Sequence, residues 1–241
     1  MENLALFISG GGTTATAIIN ETIPGRKLDC LIRPALVVAS NNKAKGIERV
    51  LGTRLLREKD VIVICPRDFA TPFHFGAALT NECKARGVTL FGQYGWMVKT
   101  PQNFLDHFPR GVNQHPAPLC PGKPDFGGKG MYGRRCHFAR LMFVRMTNRN
   151  FYTSAIAQQI HPEYDKGLVY KESQVEILSD DDVETLQARV LPVEHRVQID
   201  TLMQLALDKV ELVAPRELVL PHEMPIWTLV CHMAKLAYPK G

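Results

Sequence analysis

The chain has 241 residues, 45% hydrophobic and 22% charged, with a mean hydropathy of −0.10. That length buries a substantial core, and the composition excludes a disordered or fibrous chain. A formal net charge of +5, with Lys and Arg scattered among acidic residues, is too mild to demand nucleic acid and suits a phosphorylated small molecule.

Six cysteines, at 30, 65, 83, 120, 136 and 231, form no CxxC pair and no zinc-type spacing. Reduced thiols and no metal are therefore expected. Met1-Glu2-Asn3-Leu4 enters an apolar strand with no basic leader, and no stretch is long and apolar enough to span a bilayer. The expectation is a cytoplasmic protein, monomer or homodimer, acting on small molecules without membrane or nucleic-acid partners.

Leu4 to Ile8 is a short continuous apolar run, the pattern of a strand buried on both faces. It ends at Ser9-Gly10-Gly11-Gly12-Thr13-Thr14, and Ala15 to Glu21 then reads as helix. Strand, glycine turn and helix together make a phosphate cradle. Glycines let backbone N–H groups approach an anion, and the helix N-terminus adds unpaired donors and partial positive charge. A plain tight turn is the other reading of the same residues. The loop is neither a GxGxxG fingerprint nor a Walker loop, so a monophosphate is the better ligand.

Ala35 to Ala39 reads as a second strand, closed by Ser40-Asn41-Asn42-Lys43, and Ala44 to Leu51 as helix. Val61 to Ile64 is a third strand, Pro72 to Arg86 a helix, and Val88 to Phe91 a fourth strand that leads into Gly92-Gln93-Tyr94-Gly95-Trp96-Met97. This alternation predicts an α/β fold, a doubly wound, mostly parallel sheet flanked by helices, with ligands at the carboxyl ends of the strands. The glycine loop, the Gly95-Trp96-Met97 turn and the next strand end should share one edge.

That strand end is Gly111-Val112-Asn113-Gln114-His115-Pro116. In extended backbone, side chains two apart face the same way, so Asn113 and His115 can address one small group together. Prolines 116, 118 and 121 stiffen the exit. A turn-bonding Asn beside an ordinary strand-end His is the bland alternative.

Residues 120–135 are rich in glycine, proline and basic side chains and read as a long loop over the site. Leu141 to Val144 continues a helix or strand opened near His137, Thr153 to Ile160 is a strand, and His161 to Gly167 a turn presenting Asp165. Val169 to Ile177 is a further strand. Ser179-Asp180-Asp181-Asp182 and Glu184 cap a long helix through Glu194-His195 towards Leu207. The domain division expected is a catalytic segment over 1–210 and a C-terminal extension over 211–241 of unassigned role, which could pack on the sheet or serve a dimer contact.

Ser9-Gly-Gly-Gly-Thr-Thr, Ser40-Asn-Asn-Lys with Gly46-Ile47-Glu48-Arg49, Gly95-Trp-Met, Asn113-x-His115-Pro, Thr153-Ser154, Asp165-x-Gly167 and Val190 to Glu194-His195 occur in this order. Together they resemble the folate-dependent phosphoribosylglycinamide formyltransferase family of purine synthesis. The resemblance implies catalysis by Asn113, His115 and Asp165, and substrate binding by Gly11, Gly12, Thr13, Thr14 and Glu194. It also implies that Gly95, Trp96, Met97 and Val98, with His161 and Glu163, line the site of 10-formyltetrahydrofolate as formyl donor.

The expected chemistry is amine attack on the formyl carbon, with Asn113 and a cationic His115 donating to the oxyanion and Asp165 favouring the protonated imidazole. The family usually carries asparagine where this chain has Gly11 and Thr14, and the 120–150 stretch is longer and more basic. Lys123, Lys129, Arg134 and Arg135 could close over a phosphate or a folate glutamate tail.

An N-formyltransferase acting on an amino sugar nucleotide shares the same three residues and is the alternative. A formyltetrahydrofolate hydrolase would be expected to carry a regulatory domain ahead of the glycine loop. A methionyl-tRNA formylating enzyme would need a C-terminal barrel, which the roughly thirty residues after Glu211 are not expected to build. A folate- or nucleotide-binding protein without catalysis would be expected to have lost Asn113, His115 or Asp165, and all three are present.

Overall fold

Strand β1, Glu2–Ile8, is the hub of the first part of the chain in this computed structural model, which describes residues 1–239 and 241. Leu4, Ala5, Leu6, Phe7 and Ile8 are all fully buried, as a continuous apolar run with both faces covered requires. β1 pairs in parallel with β2, Ile32–Ala39, on one side and with β4, Leu90–Gln93, on the other. β2 pairs with β3, Val61–Val63, and β4 with β5, Gly111–His115, again in parallel. The strand order is β3-β2-β1-β4-β5. One register shift falls between Leu4 and Ala5, where Leu4 faces Pro34 and Ala5 faces Leu36. Pro34 has no N–H for the ladder, which accounts for the irregularity there.

Helices α1 (Thr13–Asn20), α2 (Gly46–Gly52), α3 (Pro72–Ala85) and α4 (Gln102–His107) connect these strands. α1 buries Thr14, Ala15, Ile18 and Ile19, one helical stripe. α3 starts where the Thr71 hydroxyl accepts the His74 amide and Pro72 takes the first turn, the position that needs no N–H donor.

The remaining elements are α5 (Arg134–Thr147), β6 (Tyr152–Gln159), β7 (Val169–Glu176), α6 (Val183–Ala206) and α7 (Met224–Ala237). β6 and β7 are antiparallel, from Tyr152 opposite Glu176 to Gln158 opposite Val169. The mostly parallel α/β architecture expected from the strand–helix alternation is thus what the chain adopts. α6 opens on a reciprocal cap: the Thr185 amide donates to Asp182 Oδ1 at 2.7 Å, and the Asp182 amide to the Thr185 hydroxyl at 2.9 Å.

The chain divides into two compact units, Met1–Gln114 with Gln198–Val210, and His115–Val197 with Glu211–Gly241. The second has its own apolar core. Phe126, Met131, Cys136, Ala139 and Phe143 bury against Leu218, Val219, Val230 and Ala234, so α7 packs on α5 and on the loop before it. Beneath that core Arg140 is 1% exposed, donating to the carbonyls of Tyr152 (2.7 Å) and Asn150 (2.8 Å). Its guanidinium lies over the rings of Tyr152 and Phe126 at 4.9 and 5.1 Å.

Candidate functional site

In the first unit the glycine loop closes on the turn before α2. Gly12 caps α1 in left-handed geometry, φ +66°, without a side-chain bond to the helix amides. A Cβ on Gly12 would stand 2.6 Å from the Cα of Gly46, and one on Gly46 would stand 2.7 Å from Ile8 Cδ1. Only glycine fits at either position. Gly10 accepts the Gly46 amide at 2.9 Å, while around Gly10 and Gly11 there is open space. The first turn of α1 thus presents uncapped amides beside exposed Gly10 and Gly11, with Thr13 half-buried and Thr14 buried. That is the donor array an anion requires.

Ser9 ties three strand ends together. Its hydroxyl oxygen accepts the Met97 amide at 2.9 Å and the Ser40 hydroxyl at 2.7 Å, and its amide donates to the Gly95 carbonyl at 3.1 Å. Asn41 donates to the Ser9 carbonyl at 3.2 Å. The loops after β1, β2 and β4 therefore share one edge, and Gln93 of β4 lies opposite Asn113 of β5 on the same edge. Gly95 turns with φ +67°. Trp96 is buried, its ring 5.1 Å from Phe7 and stacked on Phe75 at 6.5 Å, so the indole belongs to the core. Gly95 and Met97 are exposed and Val98 is half-buried.

β5 carries Asn113 half-buried and His115 buried. In the second unit His115 Nε2 lies 3.0 Å from the Phe126 carbonyl oxygen. A carbonyl only accepts, so that contact assigns a proton to Nε2. Nδ1 faces Asp165 Oδ1 at 3.6 Å. Asp165 is itself fixed: Oδ2 accepts the Gly128 amide at 2.9 Å, and Oδ1 accepts the Gln158 side-chain amide at 2.8 Å. Its φ of +56° is a backbone region that Asp tolerates better than most residues.

Gly167 completes the turn because a Cβ there would come 1.7 Å from the Gln159 carbonyl oxygen. The glycine of the Asp165-x-Gly167 motif is therefore a steric requirement of the turn.

Around this pair stand residues that no side-chain spacing singles out. Phe126 and Gly128 contribute a backbone carbonyl and a backbone amide. Asp125 is buried and closes the loop from within, Oδ2 accepting the Cys120 amide and Oδ1 the Gly127 amide, both at 3.0 Å. Burial raises its carboxyl above the usual aspartate range. Cys136 Sγ lies 3.7 Å from His115 Nε2. Burial, then the Asp165 charge, pushes that thiol well above its ordinary range, so it is no thiolate nucleophile. His137 is 1% exposed, and burial, with the His115 charge as a lesser cause, lowers it to about 4.

Glu194 is buried in α6, and its charge also acts on Cys136. His161 and Glu163 are exposed in the turn before Asp165, where His161 Nδ1 accepts the Glu163 amide at 3.0 Å. Of the basic loop residues, Arg135 is buried and donates to the carbonyls of Gly130, Tyr238 and Pro239. Arg134 faces Glu184 at 3.4 Å and Lys123 faces Glu217 at 3.9 Å. Among the described residues no group of three His, Cys, Asp or Glu is placed to hold a metal ion, and no helix is long and apolar enough to cross a membrane.

Comparison with known proteins places these features in context. The family model described as formyl transferase matches residues 2–202. The chain is 26% identical over 218 residues to the chloroplastic phosphoribosylglycinamide formyltransferase of Arabidopsis thaliana, covering 87% of this chain and 67% of that protein. It is 25% identical over 215 residues to the phosphoribosylglycinamide formyltransferase of Dictyostelium discoideum, covering 85% and 98%. Among solved structures, glycinamide ribonucleotide transformylase 1 from Symbiobacterium toebii shares the fold with a TM-score of 0.73 at 24% identity, over 89% of this chain and 95% of that one.

Proposed function

The chain belongs to the formyl transferase family, and from that premise we propose that it transfers a formyl group from 10-formyltetrahydrofolate to the amine of glycinamide ribonucleotide, a step of purine synthesis. The observation that carries this reading is the His115–Asp165 pair, 3.6 Å apart, with His115 on the strand that also bears Asn113. The curated relatives named for this reaction, at 25 and 26% identity, support the choice of acceptor.

Direct attack of the amine on the formyl carbon builds negative charge on the formyl oxygen. Asn113 donates an amide N–H to it. His115 donates its Nε2–H, exchanging the Phe126 carbonyl for a stronger, anionic acceptor, so the cost of leaving the first partner is offset by the second. Asp165 supplies the negative charge that stabilises the cationic imidazole, and its own bonds to Gly128 and Gln158 keep it in place. The proton lost by the attacking amine travels to the departing folate nitrogen, directly or through the His115–Asp165 pair. No protein–substrate bond forms, in keeping with the neutral, buried Cys136 thiol.

Gly11, Gly12, Thr13 and Thr14 are assigned the acceptor's phosphate, and Glu194 its ribose hydroxyls. Gly95, Trp96, Met97, Val98, His161 and Glu163 are assigned the folate, with Trp96 contributing through backbone because its ring is in the core. Residues 1–210 are the catalytic segment on this reading, acting as a monomer or homodimer in the cytoplasm.

The test is steady-state formyl transfer from 10-formyltetrahydrofolate, followed by absorbance of the folate product, with glycinamide ribonucleotide and amino sugar nucleotides as separate acceptors. Saturable turnover with glycinamide ribonucleotide is the expected result. Turnover only with a sugar nucleotide overturns the acceptor and keeps the chemistry, and turnover with neither overturns both.

A further inference from the structure

The family match ends at residue 202, yet the segment after 210 is built into the loop that holds His115. Trp227 of α7 donates its indole N–H to the Asp125 carbonyl at 2.7 Å. The next residue, Phe126, accepts from His115 Nε2 through its own carbonyl, and two residues further on the Gly128 amide donates to Asp165. The two groups that orient the pair therefore lie within three residues of the bond from Trp227.

A second leg comes from Arg135. Its Nε and Nη2 donate to the carbonyls of Tyr238 and Pro239, both at 2.7 Å, and its Nη1 to Gly130 at 2.8 Å, with the guanidinium 4.5 Å over the Tyr132 ring. The Phe126 ring is held from below, 5.1 Å from the Arg140 guanidinium and edge-on to Phe143 at 5.3 Å. From above it packs in the core to which α7 contributes Val230 and Ala234.

A glycine-rich turn, Gly127-Gly128-Lys129-Gly130, has wide conformational freedom of its own. External bonds must supply its rigidity.

We propose that the C-terminal helix is a working part of the reaction centre: Trp227 and Arg135 are positioning residues that fix the 125–130 turn, whose Phe126 carbonyl and Gly128 amide orient His115 and Asp165. The inference rests on the formyl-transfer reading for its kinetic consequence, while its structural consequence can be read without turnover.

The deciding variant is Trp227→Phe, which keeps an aromatic ring in the apolar cluster and removes only the N–H donor. Imidazole ¹⁵N resonances of the whole protein are recorded, with His115 identified by its loss in His115→Ala. Wild type should show His115 protonated at Nε2. Trp227→Phe should move that Nε2 resonance, because the Phe126 carbonyl it donates to is no longer fixed, and lower kcat on the order of tenfold with KM little changed, as loss of a single orienting hydrogen bond implies. Leu236→Gln, at an exposed position on α7, should change neither.

A chain ending at Ala237 removes the carbonyls that Arg135 binds, together with the Tyr238 ring that packs edge-on against Phe138, and should move the same resonance. An unshifted His115 resonance in both variants overturns the proposal, whatever happens to the rate. A wild-type protein without formyl transfer overturns the functional reading and leaves the resonance test standing.

Discussion

Asp165 Oδ1 faces His115 Nδ1 at 3.6 Å, longer than a direct hydrogen bond and close enough for a charge pair with little solvent between, since both side chains are nearly buried. On the proposed mechanism the carboxylate orients the imidazole and offsets its positive charge in the transition state. Asp165→Asn, which keeps the shape and removes the charge, should therefore lower kcat with KM little changed. Steady-state kinetics of the variant check this, and a wild-type kcat would contradict the role.

His115→Ala should lower kcat on the order of 10²–10³-fold, the usual cost of an oxyanion donor. Binding of the formyl donor, measured by titration calorimetry, should stay near wild type. Near-normal turnover would sink the mechanism.

Gly12→Ala should destabilise the fold by about 1–3 kcal/mol, because the added methyl meets the Gly46 backbone and the left-handed φ disfavours a side chain. The denaturation midpoint measures this effect. The same methyl displaces the loop amides assigned to the phosphate, so the KM for a phosphorylated acceptor should rise while the donor KM holds. Equal changes in both KM values would remove the loop from phosphate binding.

His137 gives the protein an acid weakness. In the unfolded chain its imidazole takes a proton near 6.5, while burial in the folded chain holds it neutral down to about 4. Between those values the unfolded state binds more protons, so stability falls as pH falls, by on the order of 3 kcal/mol over the window. His137→Gln should remove most of that dependence. Urea melts of both proteins at neutral pH and near the lower limit decide it, and parallel losses in the two would refute the assignment.

The parallel sheet is legible in the sequence because Leu4 to Ile8 of β1 and Ala35 to Ala39 of β2 are uninterrupted apolar runs ending in glycine or Ser-Asn turns, and α6 announces itself through its acidic cap. α4, Gln102–His107, is not legible: it is a six-residue helix opening on Pro101 without a side-chain cap. The Asn113, His115 and Asp165 positions stand out because the chemistry proposed there needs particular side chains. Phe126 and Gly128 do not, because what they offer is a carbonyl and an amide that every such residue possesses. Arg135 reads by spacing as a free loop cation and is instead committed to the carbonyls of Gly130, Tyr238 and Pro239. Two of those partners, Tyr238 and Pro239, lie about a hundred residues along the chain, where local pattern carries no information.

The sequence holds only two tryptophans. Trp96 belongs to the first compact unit, its ring against Phe7 and Phe75, and Trp227 to the second, its indole N–H on the Asp125 carbonyl. Each unit thus carries a native fluorophore in a distinct surrounding. Emission from Trp96→Phe and Trp227→Phe, recorded during denaturation, would follow one unit at a time and reveal whether the two come apart together or in sequence.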